Sequence, residues 1–217
     1  KESKKTASSN EFKILPPFVG RNAFGLAYNY KSLLPNKKKY DEPLVFIKSS
    51  TSIIGDGDKI VIPDFIKKIW IEGELAIIIS KKGKNISPKN AKNHILGYTC
   101  SNDVTAKNVC GRDHHLARSK SLDTFAPIGQ YLVKNINTNN LEIESKINNK
   151  LIQRKSTNDR VLNTEESISL VSKFFTLSPG DIIFTGTPAF IKPPLIKKGD
   201  KVTIKIEKIG TLKNIAT

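Results

Sequence analysis

Cysteine is scarce in this 217-residue chain: Cys100 and Cys110 stand in unrelated surroundings and form no C-x-x-C spacing. That excludes a disulfide-stapled scaffold and a cysteine zinc site, and it fits a reducing compartment with two ordinary thiols. Histidine is as sparse, with only His94, His114 and His115, so nothing before residue 94 offers an imidazole. Runs of about 18 apolar residues are missing, as is a signal-peptide core, so no membrane helix or membrane partner is expected. A soluble, cytoplasmic protein is the expectation, with an organellar matrix as the variant because Lys1 to Asn10 is basic and serine-rich. No sequence period repeats and no linker separates two cores. Nucleic-acid signatures are absent too. The net charge of +16 comes from lysines scattered among asparagine and isoleucine. It reads as a composition bias that could steer anionic substrates, with no nucleic-acid partner.

What is present suits one α+β domain, mostly β, with a core of useful size. Clusters of β-branched residues between turn signals predict strands at 44–48, 59–62, 69–79, 95–101, 128–134, 141–147, 150–154, 182–185 and 200–207. Asn148-Asn149 suits a two-residue hairpin turn, since asparagine tolerates positive φ. Three short helices are expected: Ser87-Pro88 to about Asn93, one capped by Thr164 with Ile168, Val171 and Phe175 at helical spacing, and one from Thr105 to about Gly111.

The chemistry concentrates in acids. Glu72 and Glu74 are two apart in an apolar run, so on a strand they share a face, and Asp103 follows another apolar stretch. Neighbouring desolvated carboxylates cost several kcal/mol or take up protons, and a divalent cation removes that cost. An all-oxygen trio without cysteine or histidine favours Mg²⁺ or Mn²⁺, or Ca²⁺, over Zn²⁺. The competing reading puts both glutamates on a solvated strand face.

Seven segments in order give a more specific pointer. They are Glu42-Pro43-Leu44-Val45-Phe46-Ile47-Lys48, the turn Gly55-Asp56-Gly57-Asp58 within 53–63, Glu72-Gly73-Glu74-Leu75-Ala76, Gly97-Tyr98-Thr99 with Asn102 to Ala106, Lys120 to Gly129, Leu177 to Pro188, and the closing Gly199-Asp200 with Ile209 to Asn214. This series resembles the fumarylacetoacetate hydrolase family over roughly Phe24 to Asn214. The resemblance implies a mixed β-roll with few short helices, usually a homodimer, that binds Mg²⁺ or Mn²⁺ through Glu72, Glu74 and Asp103. It implies an N-terminal segment 1–23, partly disordered, then a catalytic domain 24–217 with a mobile lid near 24–41.

The resemblance also implies site roles. Lys120 is the active-site lysine and a catalytic candidate, Gly186 and Thr187 grip the substrate carboxylate, and Tyr28 lies in the lid. Lys107 stands where many members have arginine, keeping the charge without the bidentate fork. The departure is in the lid, where hydrolytic members carry a histidine–glutamate dyad. The register back from Glu42-Pro43 puts Lys31 and Leu34 there, leaving Lys31 as the second catalytic candidate, a carboxylate anchor or a base if burial lowers its pKa. The reading is therefore a metal-dependent enzyme acting on small 2-oxo acids through an enolate, by decarboxylation or keto–enol isomerisation. A carbon–carbon hydrolase using His114 or His115 as base, and a catalytically silent metal-binding member, are the alternatives.

Overall fold

A computed structural model describes residues 21–34, 42–107 and 113–217. In chain order these residues form β1 (Ala23–Ala27), β2 (Leu44–Lys48), β3 (Ile53–Ile54), β4 (Lys59–Ile60), β5 (Ile69–Trp70), β6 (Gly73–Ile79), α1 (Pro88–Ala91), β7 (Ile95–Asn102) and β8 (Thr105–Ala106). There follow α2 (Ala117–Lys120), β9 (Ala126–Pro127), β10 (Glu142–Ile147), β11 (Lys150–Ser156), α3 (Thr164–Phe174), β12 (Ile182–Phe184), β13 (Lys201–Ile206) and β14 (Gly210–Ala216). One five-stranded sheet runs β2-β1-β12-β6-β7 and a second runs β11-β10-β13-β14-β4, each mixing parallel and antiparallel pairs. Two short pairs, β3 with β9 and β5 with β8, complete a mostly β architecture. No helix among the described residues is long and apolar enough to cross a membrane.

Strand β6 lies between β12 and β7, and every one of its residues is buried. Alternation splits them between two cores: Leu75, Ile77 and Ile79 join the large cluster, while Ala76 and Ile78 join a smaller one with Ile128, Ile182 and Phe184. The second sheet packs on β6 and β7 through β10, β13 and β14. At Gly73 the approach is too close for a side chain, because a Cβ there would lie 2.2 Å from Ser145 Oγ.

Several sequence expectations change. The run 69–79 is interrupted, with β5 and β6 separated by Ile71 and Glu72. The stretch 128–134 meets β7 only through isolated bridges, Ser101 with Ile128 and Tyr98 with Val133. The expected helix from Thr105 begins as β8, because Ile69 and Trp70 pair with Ala106 and Thr105; its end lies outside the described residues. Asn163 rather than Thr164 caps α3, accepting from Glu166 N while Glu166 returns a bond to Asn163 N. Asn148 and Asn149 do take positive φ, 49° and 65°, between β10 and β11. The first residues assigned to the lid are β1, paired with β2 on one side and β12 on the other, and Gly25 there leaves room for the Phe46 ring. The rest of that segment, from 35 to 41, and the opening residues 1–20 lie outside the described residues.

Candidate metal centre

The antiparallel register of β6 and β7 sets Gly73 opposite Asn102, so the residues just beyond each strand end meet. Asp103 N donates to Glu72 O at 2.9 Å and Glu72 N donates to Asn102 Oδ1 at 3.0 Å. The result is a cluster in which Glu72, Glu74 and Asp103 each offer a carboxylate oxygen, all within 4.8 Å of one another. Among the described residues this is the group able to hold a cation.

Each carboxylate has a donor of its own, and Lys120 is shared between Asp103 and Glu72. Trp70 Nε1 donates to Glu72 Oε1 at 2.6 Å, and the backbone N–H of Gly186 donates to Glu74 Oε2 at 2.7 Å. Lys120 Nζ donates to Asp103 Oδ2 at 2.5 Å, to Thr105 Oγ1 at 2.7 Å and to Glu72 Oε2 at 3.0 Å. Lys48 Nζ grips the other oxygen, Asp103 Oδ1, at 2.5 Å. Neither Trp70, Thr105 nor Lys48 stood out in the sequence as part of the site.

The protonation pattern follows from burial and charge. Burial, then the charges of Asp103 and Glu72, raises the Glu74 carboxyl well above the usual carboxylate range, with Lys120 and the Gly186 N–H opposing. Burial raises Glu72 as well, against the pull of Lys120. Burial would raise Asp103, but the ammonium groups of Lys120 and Lys48 outweigh it and hold the carboxyl low. Burial would also lower Lys120, yet the carboxylates around it keep its pKa above the normal lysine range. Lys120 is thus a fixed cation and a donor rather than a base. Three oxygen donors, Glu74 and Asp103 buried and Glu72 half-buried, two of them kept from ionising freely, suit a hard divalent cation.

The cluster lies in a cavity of about 330 Å³. Tyr28, Leu33, Phe46, Leu116 and Phe190 give it apolar walls, and Thr187 also lines it. Of the sequence candidates, the structure gathers Glu72, Glu74, Asp103, Lys120, Thr187 and Tyr28 around this space. Tyr28 is 49 % exposed and takes a φ of 64°, at the rim. Gly186 is adjacent, but its N–H is spent on Glu74; its φ of +89° and the Leu26 carbonyl 2.8 Å from any added Cβ explain why glycine stands there. The Thr187 hydroxyl accepts from Gln153 Nε2 at 2.7 Å and donates to the Gly73 carbonyl at 3.2 Å. Lys31, Lys107, His114 and His115 are exposed and do not line the cavity. Lys31 falls on a one-turn helix after Tyr30 whose Leu33, not the lysine, faces inward.

Comparison with known proteins gives this arrangement a family. The fumarylacetoacetate hydrolase C-terminal model matches residues 18–216. A mitochondrial oxaloacetate tautomerase of Xenopus laevis is 39% identical over 220 residues, covering 95% of this chain and 69% of that protein. The crystal structure of 5-carboxymethyl-2-hydroxymuconate delta-isomerase from Mycobacterium smegmatis superposes with a TM-score of 0.87 at 33% identity, over 94% of this chain and 82% of that one. Fumarylpyruvate hydrolase from Pseudomonas aeruginosa, crystallised with Mn²⁺ and pyruvate, shares the fold at a TM-score of 0.82 and 23% identity, over 92% of this chain and 91% of that one. With the match spanning nearly all the described residues, and the β-roll and acidic trio in place, the chain belongs to the fumarylacetoacetate hydrolase family.

Proposed function

We propose that this chain is a divalent-metal enzyme that converts small 2-oxo acids, with 2-oxo diacids such as oxaloacetate foremost, through their enolate, by keto–enol tautomerisation or decarboxylation. The observation that carries the reading is the Glu72, Glu74, Asp103 and Lys120 cluster on the floor of a cavity with no histidine among its described lining residues. Glu72, Glu74 and Asp103 would hold Mg²⁺ or Mn²⁺, which when bound polarises the adjacent oxygens of a 2-oxo acid and favours charge on the carbonyl oxygen.

The chain's own groups supply the rest. Lys120, fully charged at neutral pH, would give up one of its three present acceptors, Asp103, Glu72 or Thr105, to donate to the oxygen on which enolate charge develops, an interaction that strengthens toward the transition state. Leu33, Phe46, Leu116 and Phe190 keep water from the reacting carbons and make that ammonium count for more. Tyr28 and Thr187 line the same cavity, which supports a role for Thr187 at the substrate carboxylate and for Tyr28 at the mouth of the site. Hydrolysis needs a base on a water near the carbonyl, whereas decarboxylation needs none, because CO₂ departs and its bonding electron pair becomes the enolate, and tautomerisation needs only a carrier for the one proton exchanged between C3 and the enol oxygen. His114 and His115, the residues weighed for it, are exposed away from the lining, which supports ranking enolate chemistry first.

Steady-state assays with enol and keto oxaloacetate and with an acylpyruvate, each with Mg²⁺, with Mn²⁺ and with chelator, test this. Metal-dependent tautomerisation or decarboxylation should exceed acylpyruvate cleavage. Faster cleavage would reverse the ranking, and inactivity on all three in the presence of metal would leave a metal-binding protein without this chemistry.

A further inference from the structure

Strand β2 alternates between faces as a strand must, but at its end the polar and apolar sides are exchanged. Phe46 and Lys48 turn inward, while the apolar Ile47 between them is 47 % exposed. A strand with isoleucine inside and lysine outside would avoid desolvating a charge. Local rules of this kind are broken where a site demands it. Lys48 is 1 % exposed; its ammonium donates to Asp103 Oδ1 at 2.5 Å and to Val104 O at 3.4 Å, and lies 6.0 Å from the centre of the Phe184 ring. Asp103 is the carboxylate it bonds among the described residues.

A stability role does not explain this lysine. Buried ion pairs are often no more stabilising than apolar side chains of similar volume, and the Phe184 ring beside the ammonium belongs to an apolar cluster. The pair has instead a geometric effect. Lys48 and Lys120 hold opposite oxygens of one carboxylate, and the oxygen that Lys120 takes, Oδ2, is the one directed to the space shared with Glu72.

We propose that Lys48 is a positioning residue of the metal centre: by holding Asp103 Oδ1 inside the protein, it presents Oδ2 alone to a divalent cation, as a one-point donor. The proposal rests on the metal reading of Glu72, Glu74 and Asp103. Fixing Asp103 through one oxygen leaves one more coordination position for substrate or water oxygens than two-point binding by the same carboxylate would. Partners that orient a ligand in this way are worth about 10–100-fold in metal affinity. Charge alone predicts the opposite sign, because removing an ammonium beside a metal ligand should strengthen attraction for a dication.

That opposition supplies the test. Mn²⁺ binding to the full, metal-free chain and to Lys48→Met is measured by calorimetry, with cooperative melting as the check on folding; Asp103 keeps Lys120, so the variant should melt cooperatively. Its Mn²⁺ affinity should fall at least about tenfold. Unchanged or tighter binding in a cooperatively melting variant would overturn the proposal. A crystal structure of the Mn²⁺-loaded wild-type chain decides it independently of how the variant folds: Oδ2 on the metal with Lys48 still on Oδ1 supports the proposal, and two-oxygen coordination by Asp103 overturns it. A wild-type chain that binds no Mn²⁺ would instead sink the metal reading itself, a separate and recognisable result.

Discussion

Replacing Glu74 by glutamine removes one charge from the acidic trio at nearly constant shape, and it should move stability in opposite directions with and without metal. Glu74 is 2 % exposed, accepts from Gly186 N–H and faces the charges of Asp103 and Glu72. Because its folded pKa is raised, ionising it costs stability, a cost that is absent at acid pH and grows as pH rises from the ordinary carboxylate range to its own elevated value. Glutamine never incurs that cost and can still accept from Gly186. The metal-free variant should therefore melt at least as high as wild type at neutral pH, with an advantage that shrinks toward acid. With metal the order reverses. At a cation concentration of about 100 times its Kd, wild type gains about 2.7 kcal/mol. Losing a direct ligand should cost at least the upper end of the about 10–100-fold range known for supporting partners. At about 100-fold, the variant gains about 0.4 kcal/mol at the same concentration. For a domain of this size 1 kcal/mol is about 2–4 °C. The metal-induced rise should thus fall from about 5–11 °C to about 1–2 °C. Differential scanning calorimetry with Mn²⁺ and with chelator reads both effects; an equal Mn²⁺-induced rise in the two proteins would refute the assignment of Glu74 as a ligand.

Lys120→Met should lower kcat by about 10²-fold, as loss of a transition-state donor does, while Mn²⁺ still binds; because Lys120 also bonds Asp103, Glu72 and Thr105, the metal-free variant should melt lower than wild type. Wild-type kcat would place the lysine outside the reaction. Mn²⁺ affinity should rise with pH and then level off, since below its raised pKa Glu74 carries a proton that the cation must displace. Calorimetry in two buffers of different ionisation heat should register proton release, and binding without it would contradict the raised carboxyl. Gly73→Ala puts a Cβ 2.2 Å from Ser145 Oγ and should cost about 1–3 kcal/mol by overpacking, with Ser145→Ala in the same chain recovering part of the loss in melting temperature.

The acidic trio was legible in the sequence because its residue types are costly inside a sheet and their spacing leaves few explanations. Lys48 was not, since one lysine among 36 basic residues carries no mark of burial, and only the pairing of β2 with β1 turns it inward. The position of Lys31 was not legible for the related reason that a local alignment says nothing about which residue of a single helical turn faces the cavity; in the structure Leu33 lines it and Lys31 is exposed. Strand β1 went unread because Ala23-Phe24-Gly25-Leu26-Ala27 is small and unbranched, and its burial depends on Phe46 filling the room above Gly25. Strand β14 does alternate, but its inward positions include Asn214, whose Nδ2 bonds the carbonyls of Gly55 and Asp58 across 159 and 156 residues. Such pairings are tertiary, and they override local pattern.

The placement of the acids at the end of β6 carries a kinetic consequence. Amide protons of Ala76–Ile78 sit where β6 is paired with β12 on one edge and β7 on the other, and the whole strand is buried, so they should exchange with solvent only when the whole molecule opens. Glu74 lies two residues from that segment, paired with Ser101 of β7 and bonded by the Gly186 N–H, and Asp103 is tied to the same strand end by the hydrogen bond from its N–H to the Glu72 carbonyl. The donor atoms are therefore arranged before any cation arrives, and binding spends little on ordering them. Heat should remove the site and the fold together, so that loss of metal affinity on warming coincides with global melting instead of preceding it.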